Sequence, residues 1–195
     1  MAIRGTIDDF KASVVSDFAR PNLFQVDLNF PTGIINDAAL TNLGNFTVRA
    51  ANLPASQIGV IEVPFRGRVL KIAGDRTFEP WTITIMNDSG FVLRNAFELW
   101  VEAIQAANEN FTAAGSLGDE SDSTGYFADM LVHQLSRDIK SDSESPKITK
   151  SYKFYNVFPS NISAIDLDFG NNDAIEEFTV ELQTQYWTPV DSAQY

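Results

Sequence analysis

In "NLFQVDLNF" (22–30), Phe24, Val26, Leu28 and Phe30 alternate with Gln25, Asp27 and Asn29. A period of two sends successive side chains to opposite faces, so this stretch predicts a strand with one face buried. Pro21 fixes the backbone at its entry. "WTITIM" (81–86) repeats the pattern, with Trp81, Ile83 and Ile85 against Thr82, Thr84 and Met86. "FTVRAANL", "MLVHQLSRD", "ITKSYKFYNVF", "NISAIDLDF" and "AIEEFTVELQTQYW" read as further strands, the last with Phe178, Val180, Leu182 and Tyr186 on one face. "IGVIEVPFRGRVLKIAG" (58–74) reads as one long strand interrupted at Pro64 and Gly67, bent there to pass between two sheets.

The period changes once, over about residues 89–107. Leu93, Phe97, Trp100 and Ile104 form one stripe and Asn95, Glu98, Glu102 and Gln105 the opposite one, which predicts an amphipathic helix. Asp88 or Ser89 is placed to cap its start, without a full capping box. No other segment carries a convincing helical period. Residues 1–21 read as a weakly amphipathic lead segment, 31–45 as a loop, and the polar, acidic 109–125 as a mobile surface loop. No linker or repeat divides the chain. A single mainly β domain over 1–195 follows, a barrel or sandwich with one flanking helix.

Composition narrows what such a domain does. The 195 residues suffice for one core and include fifteen Phe, and no apolar run approaches a membrane span. The N-terminal stretch carries acids and lacks the apolar core of a secretion signal. With no cysteine, disulfides and thiolate chemistry are excluded. A net charge of −12 argues against wrapping nucleic acid. The charge is uneven: no Lys or Arg follows Lys153, whereas Arg66, Arg68, Lys71 and Arg76 lie close together.

The residues that could carry chemistry are few. His133 is the only histidine, so a triad or transition-metal site would have to use it, and a satisfied or interfacial role is the expectation. Asp166 and Asp168 share one strand face and Glu177 and Glu181 another. With a hairpin turn at Gly170–Asp173, Asp166 comes near Glu177, an arrangement two-carboxylate glycoside hydrolysis would use. A solvated, partner-facing or channel-facing acidic surface is the simpler reading, since like charges opposed across strands weaken a sheet. "GDESDSTG" (118–125) holds acids but not the spacing of a calcium loop. There is no GxGxxG, Walker or GxSxG motif, so neither an enzyme nor a cofactor is expected. "AGDRTFEPW" reads as a charged turn in which Gly74 takes a positive φ, Asp75 accepts backbone N–H groups and Arg76 offers a planar five-donor fork. That fork suits an internal brace or a subunit contact.

"SDFARPNLFQVDL", "LKIAGDRTFEPWTITIMND" and the closing "IEEFTVELQTQYW" resemble the tail tube proteins of large contractile-tailed bacteriophages, from about Asp17 to Trp187. The resemblance implies a β-barrel of two packed antiparallel sheets flanked by a helix, shared with the tubes of type VI secretion and other contractile injection machines. It implies hexameric rings, joined edge to edge and stacked into a hollow tube within a contractile sheath. The expected partners are other copies of the chain, sheath, baseplate and tail-terminator proteins, with tape-measure protein and DNA in the lumen. The protein would be made in the host cytoplasm and reside in the virion. Phe18, Arg20 and Pro21 of "FARP" and Gly74, Asp75 and Arg76 of "GDR" match signature positions and are the expected subunit or ring contacts. Asp166, Asp168, Glu177 and Glu181 are expected to face either the lumen or the sheath. A tube subunit of a non-phage injection machine, or a monomeric barrel binding a carbohydrate or small ligand, are the alternatives.

Overall fold

The computed structural model describes residues 6–13, 18–35, 38–108, 112, 125–139 and 146–190. The expected loop at 109–125 and the "GDESDSTG" acids lie almost entirely outside them. In chain order the elements are α1 (Ile7–Ser13), β1 (Phe24–Asp27), α2 (Ala38–Thr47), β2 (Val48–Ala51), β3 (Gln57–Phe65), β4 (Arg68–Thr77), β5 (Trp81–Met86), α3 (Val92–Ile104), β6 (Ala128–Ile139), β7 (Pro146–Ile162), β8 (Glu177–Gln183) and β9 (Tyr186–Val190). All strand pairs are antiparallel, and the barrel strands run in the order β1-β6-β7-β8-β5-β2, with β9 also on β7.

β7 joins the two sheets. Its first half pairs with β6 and β9, its last residues with β8. Between these halves the β6 register slips, because β7 spends one more residue between Phe154 and Val157 than β6 does between Met130 and Ala128. At this bulge Asn156 takes a left-handed φ of 52°, and its N–H donates to Asp129 Oδ1 at 2.9 Å. Asp129 Oδ2 also meets Lys153 Nζ at 3.0 Å. A buried carboxylate thus pins the bend that turns one strand into two sheets.

The faces expected from alternation point inward. Val26, Leu28, Ile83, Ile85, Val132, Phe178, Val180 and Leu182 form the core, and Trp81 stacks on Phe154 across the two sheets at 4.2 Å. The helix predicted over 89–107 is α3, which buries Leu93, Ala96, Phe97 and Trp100 over the barrel. Phe30 packs edge-on against Phe97 and Trp100, whose indole N–H donates to the Tyr126 carbonyl at 2.7 Å. The N-cap residue of α3 is Phe91, at a left-handed φ of 54°, and not the expected Asp88 or Ser89; Asp88 stands before it and accepts from Val92 N–H at 3.0 Å and Gly90 N–H at 3.1 Å. Among the described residues no helix is long and apolar enough to cross a membrane.

Several expectations change. α1 and α2 add two short helices to the one expected, in segments read as lead and loop. The strand expected over 161–169 ends at Ile162, and a loop runs to Glu176. Turn residues fall at 169–170 and 172–173, so the turn expected at Gly170–Asp173 is extended backward, with the Asp168 carbonyl accepting Asn171 N–H at 3.2 Å. Tyr186 does not continue the Phe178–Leu182 face: the chain crosses to the other sheet as β9, where Tyr186 stacks on Tyr155 at 4.7 Å.

Candidate assembly interface

Residues 58–74 do not form one bent strand. They make most of the hairpin β3–β4, a two-stranded sheet of its own. The turn is Arg66–Gly67, both at positive φ (46° and 82°), the primed geometry whose twist suits a two-residue hairpin loop. "GDR" is likewise not a turn. Gly74, Asp75 and Arg76 lie within β4 at a bulge opposite Gly59, and Gly74 does not share Gly67's positive φ. Glycine eases the close approach there: a Cβ on Gly74 would stand 3.1 Å from the Gly59 carbonyl oxygen, a tight contact.

Every residue of β3, and all but one of β4, is exposed. The register Ile61↔Ile72, Val63↔Leu70 and Phe65↔Arg68 collects Ile61, Val63, Phe65, Leu70 and Ile72 on one face. The other face carries Val60, Pro64 and Val69 around a Glu62–Lys71 pair at 3.8 Å. A two-stranded ribbon is marginal alone in water, and apolar residues gathered on an open face are surplus to the monomer's core.

The base of this arm is anchored. The indole N–H of Trp81 donates to the Asn52 carbonyl at 2.8 Å, and that of Trp187 to the Ala55 carbonyl at 3.2 Å, holding the entering chain. On the leaving strand the Arg76 guanidinium sits 4.8 Å from the Phe78 ring centre and 4.7 Å from that of Trp187. Within the monomer Arg76 thus braces the root of the arm by cation–π attraction to two rings.

The remaining expected site residues are spread over the molecule. Phe18 is exposed and stacks on Phe10 of α1 at 6.1 Å. Arg20 and Pro21 form an exposed turn beside β1, held by Gln134, whose amide donates to the carbonyls of Arg20 (2.8 Å) and Leu23 (2.6 Å). Three of the four acids meet: Asp166 and Asp168 of the β7–β8 loop and Glu177 at the start of β8 line one open cleft, while Glu181 stands apart on the outer face of β8 opposite Thr82. Glu177 is paired with Arg49 of β2. Glu181 Oε1 accepts from Gln183 Nε2 at 3.2 Å.

His133 is a satisfied histidine. Its Nδ1 lies 2.6 Å from Ser151 Oγ and its Nε2 3.1 Å from Asp27 Oδ2, a row across β7, β6 and β1. The three residue types are those of a hydrolytic triad, but Ser151 is 0% exposed, so its hydroxyl is closed to a substrate. Burial pushes the Asp27 carboxyl up, and the hydrogen bonds from His133 and Gln25, with the His133 charge, outweigh it and leave it below the usual range. Alternation puts Asp27 on the polar face of its strand, but no local pattern links it to His133 or Ser151, 106 and 124 positions further along the chain.

A filled β-barrel bearing a rigidly rooted, apolar, unpartnered ribbon is the build of a self-assembling structural subunit. Residues 19–189 match the family described as phage tail tube protein, and the chain belongs to that family. It is 34% identical over 182 residues to the tail tube protein gp19 of Enterobacteria phage T4, covering 93% of this chain and 98% of that one. With the tail tube protein of Serratia phage KSP90 it shares 26% identity over 180 residues, 91% of this chain and 93% of that one. Among solved structures, a chain of the anti-feeding prophage baseplate superposes with a TM-score of 0.60 at 15% identity, covering 91% of this chain and 99% of that one. A chain of an extracellular contractile injection system's sheath/tube terminator does so at 0.55 and 15% identity, over 91% of this chain and all of that one. At such identity these two share the fold. The protein is thus a structural subunit of a contractile phage tail tube and a component of the virion.

Proposed function

We propose that the chain forms hexameric rings that stack into a hollow tube inside a contractile sheath, and that it does so without catalysis or cofactor. One observation carries this reading: the β3–β4 arm leaves five large apolar side chains exposed on one face. Burying a half-exposed aliphatic or aromatic side chain is worth on the order of 1 kcal/mol, so one arm gains about 5 kcal/mol. Association of two proteins costs about as much or more. A single arm contact is therefore weak, and six made together by a ring are strong. Growth is then cooperative and benefits from a baseplate that presents a first ring, as it would from a terminator that ends it.

In this reading Gly74, Asp75 and Arg76 serve ring docking by shaping and bracing the arm, and the Phe18–Pro21 turn serves contact between neighbours beside the open edge of β1. Thr82, Thr84, Thr179 and Glu181, on the outer face of β5 and β8, line the lumen. A wall of hydroxyls and carboxylates offers phosphates no counter-charge, so DNA and the tape-measure protein slide past it. The core between the barrel strands and α3 is filled by Trp81, Trp100, Phe97 and Phe154, which argues against a ligand held inside.

The test is Leu70→Asp with Ile72→Asp, followed by thermal unfolding and negative-stain electron microscopy. The expected result is an unchanged Tm, since the arm lies outside the core, with loss of tubes under conditions where the parent chain forms them. Tubes of normal length from the variant would overturn the proposal.

A further inference from the structure

Resting on that reading, we propose that the tip of the β3–β4 arm of one copy docks on the β7–β8 loop (163–176) of the copy stacked next to it. The loop has the other half of a contact. Leu167, Phe169 and Ile175 are exposed, Phe169 entirely, although hydrophobic collapse of the monomer alone would bury them. They flank an open cleft of about 570 Å³.

Charge selects the occupant. Residues 163–176 contain Asp166, Asp168, Asp173 and Glu176 and no base, while the arm tip, 64–69, contains Arg66 and Arg68 and no acid. The two surfaces are both part apolar and of opposite sign, so a second copy of this chain fits the loop where an acidic polymer would be repelled. Position agrees. The arm is rooted at the Trp81 end of β5, through Asn52 and the Phe78–Arg76–Trp187 cluster. The loop is tied to the Met86 end of the same strand, where the Asn87 N–H donates to the Glu176 carbonyl at 2.8 Å and the Asn87 amide to Glu176 Oε2 at 3.0 Å. Six extended residues separate those ends by about 17 Å. An arm rooted at one end of the strand and a loop tied to its other end suit a head-to-tail contact between copies, which propagates as a stack instead of closing into a dimer.

The experiment is a charge exchange on the full chain, scored by sedimentation and electron microscopy. One variant carries Arg66→Glu and Arg68→Glu, a second carries Asp166→Lys and Asp173→Lys, and a third carries all four. Asp168 is left alone because its carboxylate accepts the Gly170 N–H at 2.9 Å within the turn. With a Tm near that of the parent, each of the first two needs about tenfold or more higher concentration to stack. Their equimolar mixture, and the fourfold variant, stack like the parent. If the loop variant stacks normally while the arm variant does not, the arm docks elsewhere and only the pairing is overturned. Normal stacking of both removes the arm as the contact as well. Loss in both without rescue overturns the pairing, and points the loop at a different partner such as the sheath.

Discussion

Replacing Asp129 by alanine tests how the two sheets are joined. The residue is 7% exposed, and its two carboxylate oxygens serve the Lys153 ammonium at 3.0 Å and the Asn156 N–H at 2.9 Å. Removing one member of a buried ion pair costs about 3–5 kcal/mol, and the lower end applies because the Lys153 side chain is 20% exposed and its head can turn to water. The orphaned N–H at a left-handed bulge adds about 1 kcal/mol. A loss of about 4 kcal/mol is a large part of a domain's stability and lowers Tm by roughly 8–16 °C at this chain length. Thermal and urea unfolding followed by circular dichroism measure it. Asp129→Asn keeps an oxygen for Asn156 and loses less. Asp129→Asn with Lys153→Met removes both charges and recovers much of the loss, because the cost lies in the unpaired charge. A Tm for Asp129→Ala within 2 °C of the parent would refute the reasoning.

Asp27→Asn changes acid sensitivity. Because the folded carboxyl titrates below its ordinary value of 3.8, its ionised form contributes stability above that pH, lost as pH falls through the lower folded value. The variant is therefore less stable at neutral pH and shows a shallower fall of Tm below pH 3.8, read by thermal melts across an acid series. Trp187→Ala removes a ring from Arg76 and a donor from Ala55, which costs about 1–2 kcal/mol in unfolding experiments. Its effect on tube formation is far larger, because the arm loses its fixed angle. Asn156→Gly relaxes the left-handed bulge and leaves Tm unchanged or raised, whereas Asn156→Val lowers it by several degrees.

The barrel was legible because one face of each strand is buried. Trp81, Ile83 and Ile85 could sit only inward, and the Leu93–Phe97–Trp100 stripe could only be helical. The arm was misread for the same reason in reverse. Both its faces are exposed, so no burial pattern marked where Phe65 ended one strand and Arg68 began the next; Arg66–Gly67, two turn residues between apolar runs, was the available signal. "GDR" looked like a turn because charges in strands are unusual, but a strand in solvent tolerates them. In the β7–β8 loop, Ile165, Leu167 and Phe169 alternate with acids like a strand, yet Leu167 and Phe169 face solvent. Exposed apolar residues of this kind escape a reading based on the packing of the monomer alone. α2 was hidden by Gly44, Asn42 and Asn45, poor helix formers overridden when Leu40 and Leu43 pack on the core. Glu177's partner, Arg49, lies 128 positions away, beyond any local pattern.

Hydrogen exchange of the arm amides, compared between dispersed protein and sedimented tubes, tests the central claim most directly. Peptides covering residues 57–77 are expected to exchange quickly in the dispersed protein, as an isolated ribbon does, and to become strongly protected in the tube. Tubes in which those peptides exchange as fast as in free protein would show that assembly proceeds without the arm.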